Sequence, residues 1–361
     1  AILFVLIPKG LFPEQDTGQL RATVVAGQDI SFQRMATIQN KVADVLLADP
    51  EVASLSSNIG VDGQNPTLNQ GRMLINLKDG SERGSQTALI RRLKERARDV
   101  SGVTLYLQPV QDLTIDTETG PNQYRFSLQG ADSEQIAQWA RKLMAALHNE
   151  PKLQNVTSDV LEQGRAVKVS INRDVAARLG ISTATIDSAL YNAFGQRIIS
   201  TIFTPSTQYR VILESQPGML TSPTALDRLY IPTNSGASVP LGTVATFTPG
   251  NASLLVSRVA QFPAATIGFD LAPGVSLGEA VDAVIATEAR LGMPEGISTR
   301  FLGAASAFRA SLTNEIYLIL AAIVVVYIVL GVLYESFVHP VTILSTLPSA
   351  GVGALLALMV A

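Results

Sequence analysis

Few residues in this 361-residue chain have the types and spacing that catalysis requires. There is no cysteine, which removes thiolate nucleophiles, cysteine metal ligands and disulfides. The two histidines are His148, at the end of an amphipathic helical pattern, and His339, in a short turn between apolar runs. The sequence contains no phosphate-binding glycine loop, dinucleotide fingerprint, His-Glu-x-x-His pair or Gly-x-Ser-x-Gly elbow. We therefore expect no catalytic residue and no cofactor.

One acidic cluster has residue types that suit a cation or paired-carboxylate chemistry. Asp112, Asp116 and Glu118 lie close together in a threonine-rich segment. Carboxylates are ligands for hard cations, but segments between structured repeats usually run over the surface in contact with water. We interpret this cluster as a solvated linker and predict no metal site. The net charge of −3, without a long run of either sign, also excludes an electrostatic footprint for nucleic acid.

Two uncharged apolar runs near the C-terminus predict membrane helices. Residues 316–333 carry no charged side chain, and a membrane span takes about 20 mainly apolar residues, with a lower limit near 17. The second run, 341–361, is rich in Gly, Ala and Ser, as is usual where membrane helices pack closely. We predict membrane helices at 308–334 and 340–361. Residues 1–8 are interpreted as the end of another, so the chain is expected to be a segment that begins inside one helix and ends in another.

Between the apolar runs, the hydrophobic pattern repeats one order of elements twice. Residues 9–110 predict a strand, a helix, two strands, a helix and a strand. The same order recurs over 111–161 and 250–307, with an interruption at 162–249. This βαββαβ order is that of the ferredoxin-like fold. We predict an α+β fold with two ferredoxin-like modules, a third α+β unit inserted in the second module, and flanking transmembrane helices.

Several long and unusual strings resemble the resistance-nodulation-division (RND) multidrug efflux transporters. They are LFPEQDTG (11–18), ARLGIS (177–182), YNAFGQRIISTIF (191–203), VPLGTVA (239–245) and LYESFVHPVTILSTLPSAGVGALLAL (333–358). The resemblance covers the whole chain in order and points to the C-terminal half of such a transporter. The segments GVDGQNPTLNQ (60–70) and QDLTIDT (111–117) resemble the MdtB-type subunit of the family's heteromeric pumps.

The resemblance implies a multi-pass subunit of the Gram-negative inner membrane with a large periplasmic domain. The first module would be porter subdomain PC1, the second PC2, and the insert the DC part of the docking domain. Such subunits form homotrimers or heterotrimers with another RND subunit. With a periplasmic adaptor protein and a TolC-like outer-membrane channel, they export amphiphilic drugs, bile salts or detergents by proton antiport. The proton-carrying residues of the family lie outside this sequence, so the resemblance assigns no proton relay here.

The resemblance also assigns candidate substrate contacts. Residues 60–71 match the family's switch loop, with Gly60, Gly63 and Gly71 as candidate loop glycines. The candidates for the substrate pathway are Asn58, Val61, Gly63, Leu74 and Tyr106. Well-studied pumps carry several phenylalanines at such positions, and this departure leaves open that a partner subunit carries the main drug pocket. Ordinary strand packing is the alternative for Val61, Leu74 and Tyr106.

Two other functions stay open on the sequence alone. One is a membrane-anchored periplasmic scaffold or adaptor, whose modules only dock partner proteins. The other is an RND relative that exports lipid or protein. A second half with charged residues inside its membrane helices would favour the pump over the scaffold.

Overall fold

The computed structural model describes residues 15–61, 65, 67–113, 120–216, 222–346, 350, 352–354 and 356–357; for 223 and 312–316 it describes the backbone only. The chain divides into two compact units. The smaller is Glu162–Ser253, and the larger consists of Ala1–Leu161 and Leu254–Ala361. The predicted insert, 162–249, lies within the smaller unit.

The first module is a four-stranded antiparallel sheet with two helices. Its elements are β1 (Gln19–Ala26), α1 (Phe32–Leu47), β2 (Val52–Ile59), β3 (Gln70–Leu77), α2 (Gln86–Ala97) and β4 (Val103–Pro109). The strands lie in the order β2-β3-β1-β4. This is the strand order that two split β-α-β units produce when they interleave.

Alternation in the strands and capping of the helices explain why this module forms. Along β1, Leu20, Ala22 and Val24 are fully buried, because every second side chain of a strand points to the same face. The Ser31 hydroxyl accepts a hydrogen bond from the Arg34 amide at the start of α1, which satisfies one otherwise unpaired donor. Both helices pack on one face of the sheet, and each fully buried large side chain contributes about 1.5–3 kcal/mol.

The chain then starts the second module and leaves it for the inserted unit. The second module begins with β5 (Tyr124–Gln129), α3 (Ser133–Leu147) and β6 (Leu153–Ser158). The inserted unit contains β7 (Gly164–Ile171), α4 (Arg173–Arg178), α5 (Thr183–Phe194), β8 (Arg197–Phe203), β9 (Gln208–Leu213), α6 (Pro223–Leu226), β10 (Tyr230–Pro232), β11 (Ser238–Pro240) and β12 (Ala245–Ala252). Its strands pair antiparallel as β7–β12, β8–β9 and β10–β11. The unit has its own small core, which includes Ile186, Ile231 and Leu241.

The second module is completed after the insert. Its remaining elements are β13 (Arg258–Val259), β14 (Phe262–Leu271), α7 (Leu277–Leu291) and β15 (Ser298–Leu302). β14 pairs with β6, β13 and β5, and β5 pairs with β15, so β6-β14-β5-β15 repeats the strand order of the first module. Phe126 packs between Phe269 and Phe301 in its core, with ring centroids 6.2 and 5.7 Å apart. The predicted α+β fold with ferredoxin-like modules is confirmed.

A long helix follows the second module. α8 (Gly303–Leu333) has 31 residues, which is roughly 46 Å at 1.5 Å per residue, and α9 (Val338–Leu344) comes after it. Across the part of the chain that the structure describes, no helix meets the length and apolarity needed to cross a membrane. The predicted membrane helices at 1–8 and 340–361 include residues outside that part, and the one at 308–334 includes residues 312–316, whose side chains are not described, so all three stay predictions.

Candidate functional site

The sheet of the first module has a second face, turned away from α1 and α2, which we call the open face. Its residues are Gln19, Arg21, Thr23 and Val25 of β1, Ser54, Ser56 and Asn58 of β2, Gln70, Arg72, Leu74 and Asn76 of β3, and Thr104, Tyr106 and Gln108 of β4. These positions alternate with the buried positions that contact the helices. The open face is largely polar.

Three of the predicted pathway residues meet on the open face. Asn58 lies opposite Arg72, which lies opposite Thr23. Thr23 in turn lies opposite Tyr106, so this row crosses all four strands. Leu74 belongs to the neighbouring row and is 41% exposed. Sequence reasoning thus found residues that are neighbours in space although they come from three separate strands.

The neighbouring row also contains residues that sequence reasoning missed. Leu74 lies opposite Arg21, and Arg21 lies opposite Gln108. The Nε2 atom of Gln108 is buried and has no hydrogen-bond partner. A signal for them existed in the sequence, because polar residues alternating with apolar ones along a strand mark the face opposite the core.

Asparagine side chains fix the ends of the predicted switch loop. The Nδ2 group of Asn65 donates to the carbonyls of Gly60 and Gln70, at 2.9 and 2.8 Å. The Nδ2 group of Asn69 donates to the Ala26 carbonyl at 3.1 Å. These hydrogen bonds connect both ends of the loop to the sheet, so the positions of the loop ends are fixed.

The predicted loop glycines occupy different settings. Gly60 has a φ of +120°, a backbone conformation that glycine adopts without steric cost, and Val61 beside it is 63% exposed. Gly63 lies outside the described residues. Gly71 lies in β3 rather than in the loop, because pairing with both neighbouring strands extends to it. A Cβ atom there would come within 1.7 Å of the Gln39 Oε1 atom, so Gly71 allows close packing of α1 on the sheet.

At the β4 edge, charged groups of the two modules interact. Lys94 of α2 and Tyr106 both interact electrostatically with Asp270 at the end of β14. Burial raises the pKa of Asp270, and hydrogen bonds from the Asn155 side chain (2.7 Å) and the Gln123 amide (2.8 Å) oppose this rise. Burial lowers the pKa of Lys94, and burial also raises the pKa of Tyr106. Sequence reasoning missed Lys94 and Asp270, since nothing local shows that residues this far apart in the chain meet.

The structure describes only some of the residues considered for metal or acid–base chemistry. Within the described ranges, no group of three or more His, Asp or Glu side chains is placed to hold a metal ion. Only Asp112 of the predicted acidic cluster is described. His148 follows the last turn of α3, where its amide donates to the Met144 carbonyl at 2.9 Å. His339 lies in α9 beside Tyr334, with ring centroids 6.4 Å apart.

Comparison with known proteins identifies the family. The family model described as AcrB/AcrD/AcrF matches residues 1–361. Two crystal forms of a heavy metal efflux pump resemble 99% of this chain, with TM-scores of 0.84 and 0.83 and sequence identities of 20% and 19%. This chain spans 38% of each of those chains, and likeness at this identity shows the shared fold. Since the family model covers the whole chain, the protein belongs to the AcrB/AcrD/AcrF family of RND transporters.

Proposed function

We propose that this chain is part of the inner-membrane subunit of a proton-driven, tripartite RND pump that exports amphiphilic drugs, bile salts or detergents. The subunit acts as an antiporter in a trimer, with a periplasmic adaptor protein and a TolC-like outer-membrane channel. Membership of the AcrB/AcrD/AcrF family supports the general function. The segments 60–70 and 111–117 favour the MdtB-type subunit, and hence a trimer shared with another RND subunit.

The segments of the chain have separate roles in this proposal. Residues 9–110 form porter subdomain PC1, and residues 111–161 with 250–307 form PC2. Residues 162–249 form the docking subdomain, which is supported by the separate core of the smaller unit. Residues 308–334 and 340–361 are membrane helices. Exposed apolar side chains along α8, such as Leu318, Val325 and Val332, suit contact with lipid.

The observation that carries the substrate assignment is the open face. Asn58, Leu74 and Tyr106 lie there together, next to a loop whose ends are fixed by Asn65 and Asn69. An amphiphile needs apolar contact from a few exposed side chains and polar groups that orient it. Leu74 supplies the first, and the surrounding amide, hydroxyl and guanidinium groups supply the second.

The two modules provide the moving parts. Each has its own buried core, so each can move as a body, and the segment around residues 110–122 joins them. The two modules interact through Tyr106 and Asp270, at the edge of the open face. We propose that hinge or shear motion between the modules opens and closes this edge, driven from the membrane through α8, which continues directly from β15.

A substitution on the open face tests the proposal. In the full-length pump in cells, Leu74→Trp fills part of the open face and changes resistance to some amphiphiles by severalfold while expression is unchanged. Leu47→Trp is the matched control, since Leu47 is 47% exposed at the end of α1, away from the open face. Wild-type resistance to every compound in the Leu74→Trp variant would refute the substrate assignment. If deletion of the whole subunit also leaves accumulation of every amphiphile unchanged, the scaffold function is favoured instead.

A further inference from the structure

The described charged side chains of the open face are all positive. Its strand positions include two arginines, Arg21 and Arg72, and no Asp or Glu among the described residues. Arginine side chains without neighbouring carboxylates favour ligands with negative charge or many acceptor atoms. Arg72 already takes part in an interaction of its own, and the second positive charge on this face is that of Arg21.

Arg21 lies at the centre of the sheet and outside the described ion pairs. Those pairs join other arginines, Arg83, Arg92 and Arg96, to carboxylates. Arg21 is half-buried in β1, between the exposed Leu74 on one side and Gln108 on the other. A guanidinium in this setting binds carboxylate or sulfonate oxygens through two parallel hydrogen bonds.

Gln108, opposite Arg21, has a side-chain donor that lacks a hydrogen-bond partner. Its Nε2 atom is buried without a hydrogen-bond partner, although buried donors are normally paired. An acceptor held by Arg21 would lie within reach of this neighbouring side chain, because residues directly opposite in antiparallel strands have Cβ atoms about 4.5–5.5 Å apart. Tyr106 lies two residues before Gln108 on the same face and carries a further hydroxyl donor.

The charges at the β4 edge do not cancel this preference. Asp270 is the acidic group that interacts with Tyr106, and it interacts with Lys94 as well. One negative and one positive charge therefore face each other there. Arg21 lies in β1, one strand further into the sheet than the β4 edge.

We propose that the open face binds the anionic headgroup of an amphiphilic substrate, with Arg21 as the residue that selects an anion. Gln108 and Tyr106 donate to the same headgroup, and Leu74 contacts the apolar part of the substrate. This inference rests on the proposed function and narrows its substrate class to amphiphiles with a carboxylate, sulfonate or similar group.

Three probes with one steroid skeleton test the proposal: cholate, its primary amide and the corresponding primary amine. Their binding is measured by calorimetry with the full-length protein in lipid nanodiscs. Arg21→Gln weakens binding of cholate by about threefold to tenfold, since Arg21 is half-exposed, and leaves binding of the amide unchanged. Arg21→Lys restores part of the loss. Arg34→Gln, at an exposed position on α1, is the matched control and changes nothing.

A second variant keeps the test independent of any structural role of Arg21. Leu74→Glu places a carboxylate opposite Arg21, so binding of cholate weakens and binding of the amine strengthens. If the wild type binds amphiphiles, two results would overturn the inference. One is that these variants change the binding of all three probes equally, and the other is that Arg21→Gln leaves the binding of cholate unchanged. Failure of the wild type to bind any of the three would overturn both the inference and the proposed substrate class.

Discussion

Removal of the Arg92 side chain is expected to loosen α2, the helix that carries Lys94 to the edge of the open face. Asp49, at the end of α1, has a side chain that is 0% exposed. Its two carboxylate oxygens accept from Arg92 Nε and Nη2 at 2.8 and 2.9 Å. Arg92 also contacts Glu51 at 2.9 Å, and Arg96 lies 3.2 Å from Asp49. The pair joins α2 to the segment between α1 and β2.

The geometry sets the expected size of the effect. Breaking a buried ion pair on one side costs about 3–5 kcal/mol, because the other charge is left buried. Here Arg96 stays close to Asp49, and the Arg92 side chain is 38% exposed, so solvent screens part of the interaction. We therefore expect Arg92→Met to destabilise the α2 region by about 2 kcal/mol, and Arg91→Met, at an exposed position one residue earlier, by less than about 0.5 kcal/mol.

Hydrogen exchange on the full-length protein measures this effect locally. Amides of α2 and β1 should exchange roughly 30-fold faster in Arg92→Met at neutral pH, since each 1.4 kcal/mol is tenfold. Burial tends to raise the pKa of Asp49, but the hydrogen bonds from Arg92 and the Glu51 amide, together with the positive charges of Arg92 and Arg96, hold this pKa below its usual value. The stability from this pair is therefore present above pH ~4 and lost as the pH falls through the folded-state pKa. An effect that stays the same below pH ~4 after correction for intrinsic rates, or one no larger than that of Arg91→Met, would refute this reasoning.

Three further changes have expected outcomes that hydrogen exchange can measure. Burial raises the pKa of Asp159, so the contribution of this carboxyl to stability falls as the pH rises through its folded-state pKa. Asp159→Asn should therefore stabilise β14 at neutral pH but not at pH ~3. A loss of stability of β14 at neutral pH would contradict this prediction. Gly71→Ala should destabilise the first module by about 1–3 kcal/mol, because the new Cβ meets Gln39, and the cost should shrink in a Gln39→Ala background; equal costs in both backgrounds would argue against this contact. Lys94→Met removes the positive charge that lowers the pKa of Asp270. The pH at which hydrogen-exchange protection of the end of β14 changes should therefore move upward, whereas an unchanged midpoint would show that the two groups do not interact.

The sequence predicted the elements well where local signals are strong. The helix at Phe32–Leu47 starts after the capping Ser31, and its apolar positions Met35, Val42 and Leu46 are buried as their spacing requires. The order of the elements was enough to predict two ferredoxin-like modules, because that order admits few sheet topologies.

The site was predicted only in part, for a physical reason. Alternation along β3 and β4 places Leu74 and Tyr106 on one face, but the register that brings Arg21 beside Leu74 depends on how the strands pair. The meeting of Lys94 with Asp270 depends on the packing of two modules, and no local pattern encodes it. Gly71, which the resemblance assigns to the loop, lies in β3, and its role there is to allow the close approach of Gln39, a residue far away in the chain.

Protection of a cysteine at Leu74 tests most directly whether the open face is the substrate surface. The chain has no native cysteine, so Leu74→Cys in the full-length protein gives this region a single thiol, and Leu47→Cys gives the control. With saturating cholate, maleimide labelling at position 74 should slow severalfold, while labelling at position 47 keeps its rate. Equal labelling rates at position 74 with and without cholate and the other amphiphiles that the pump exports would contradict the account.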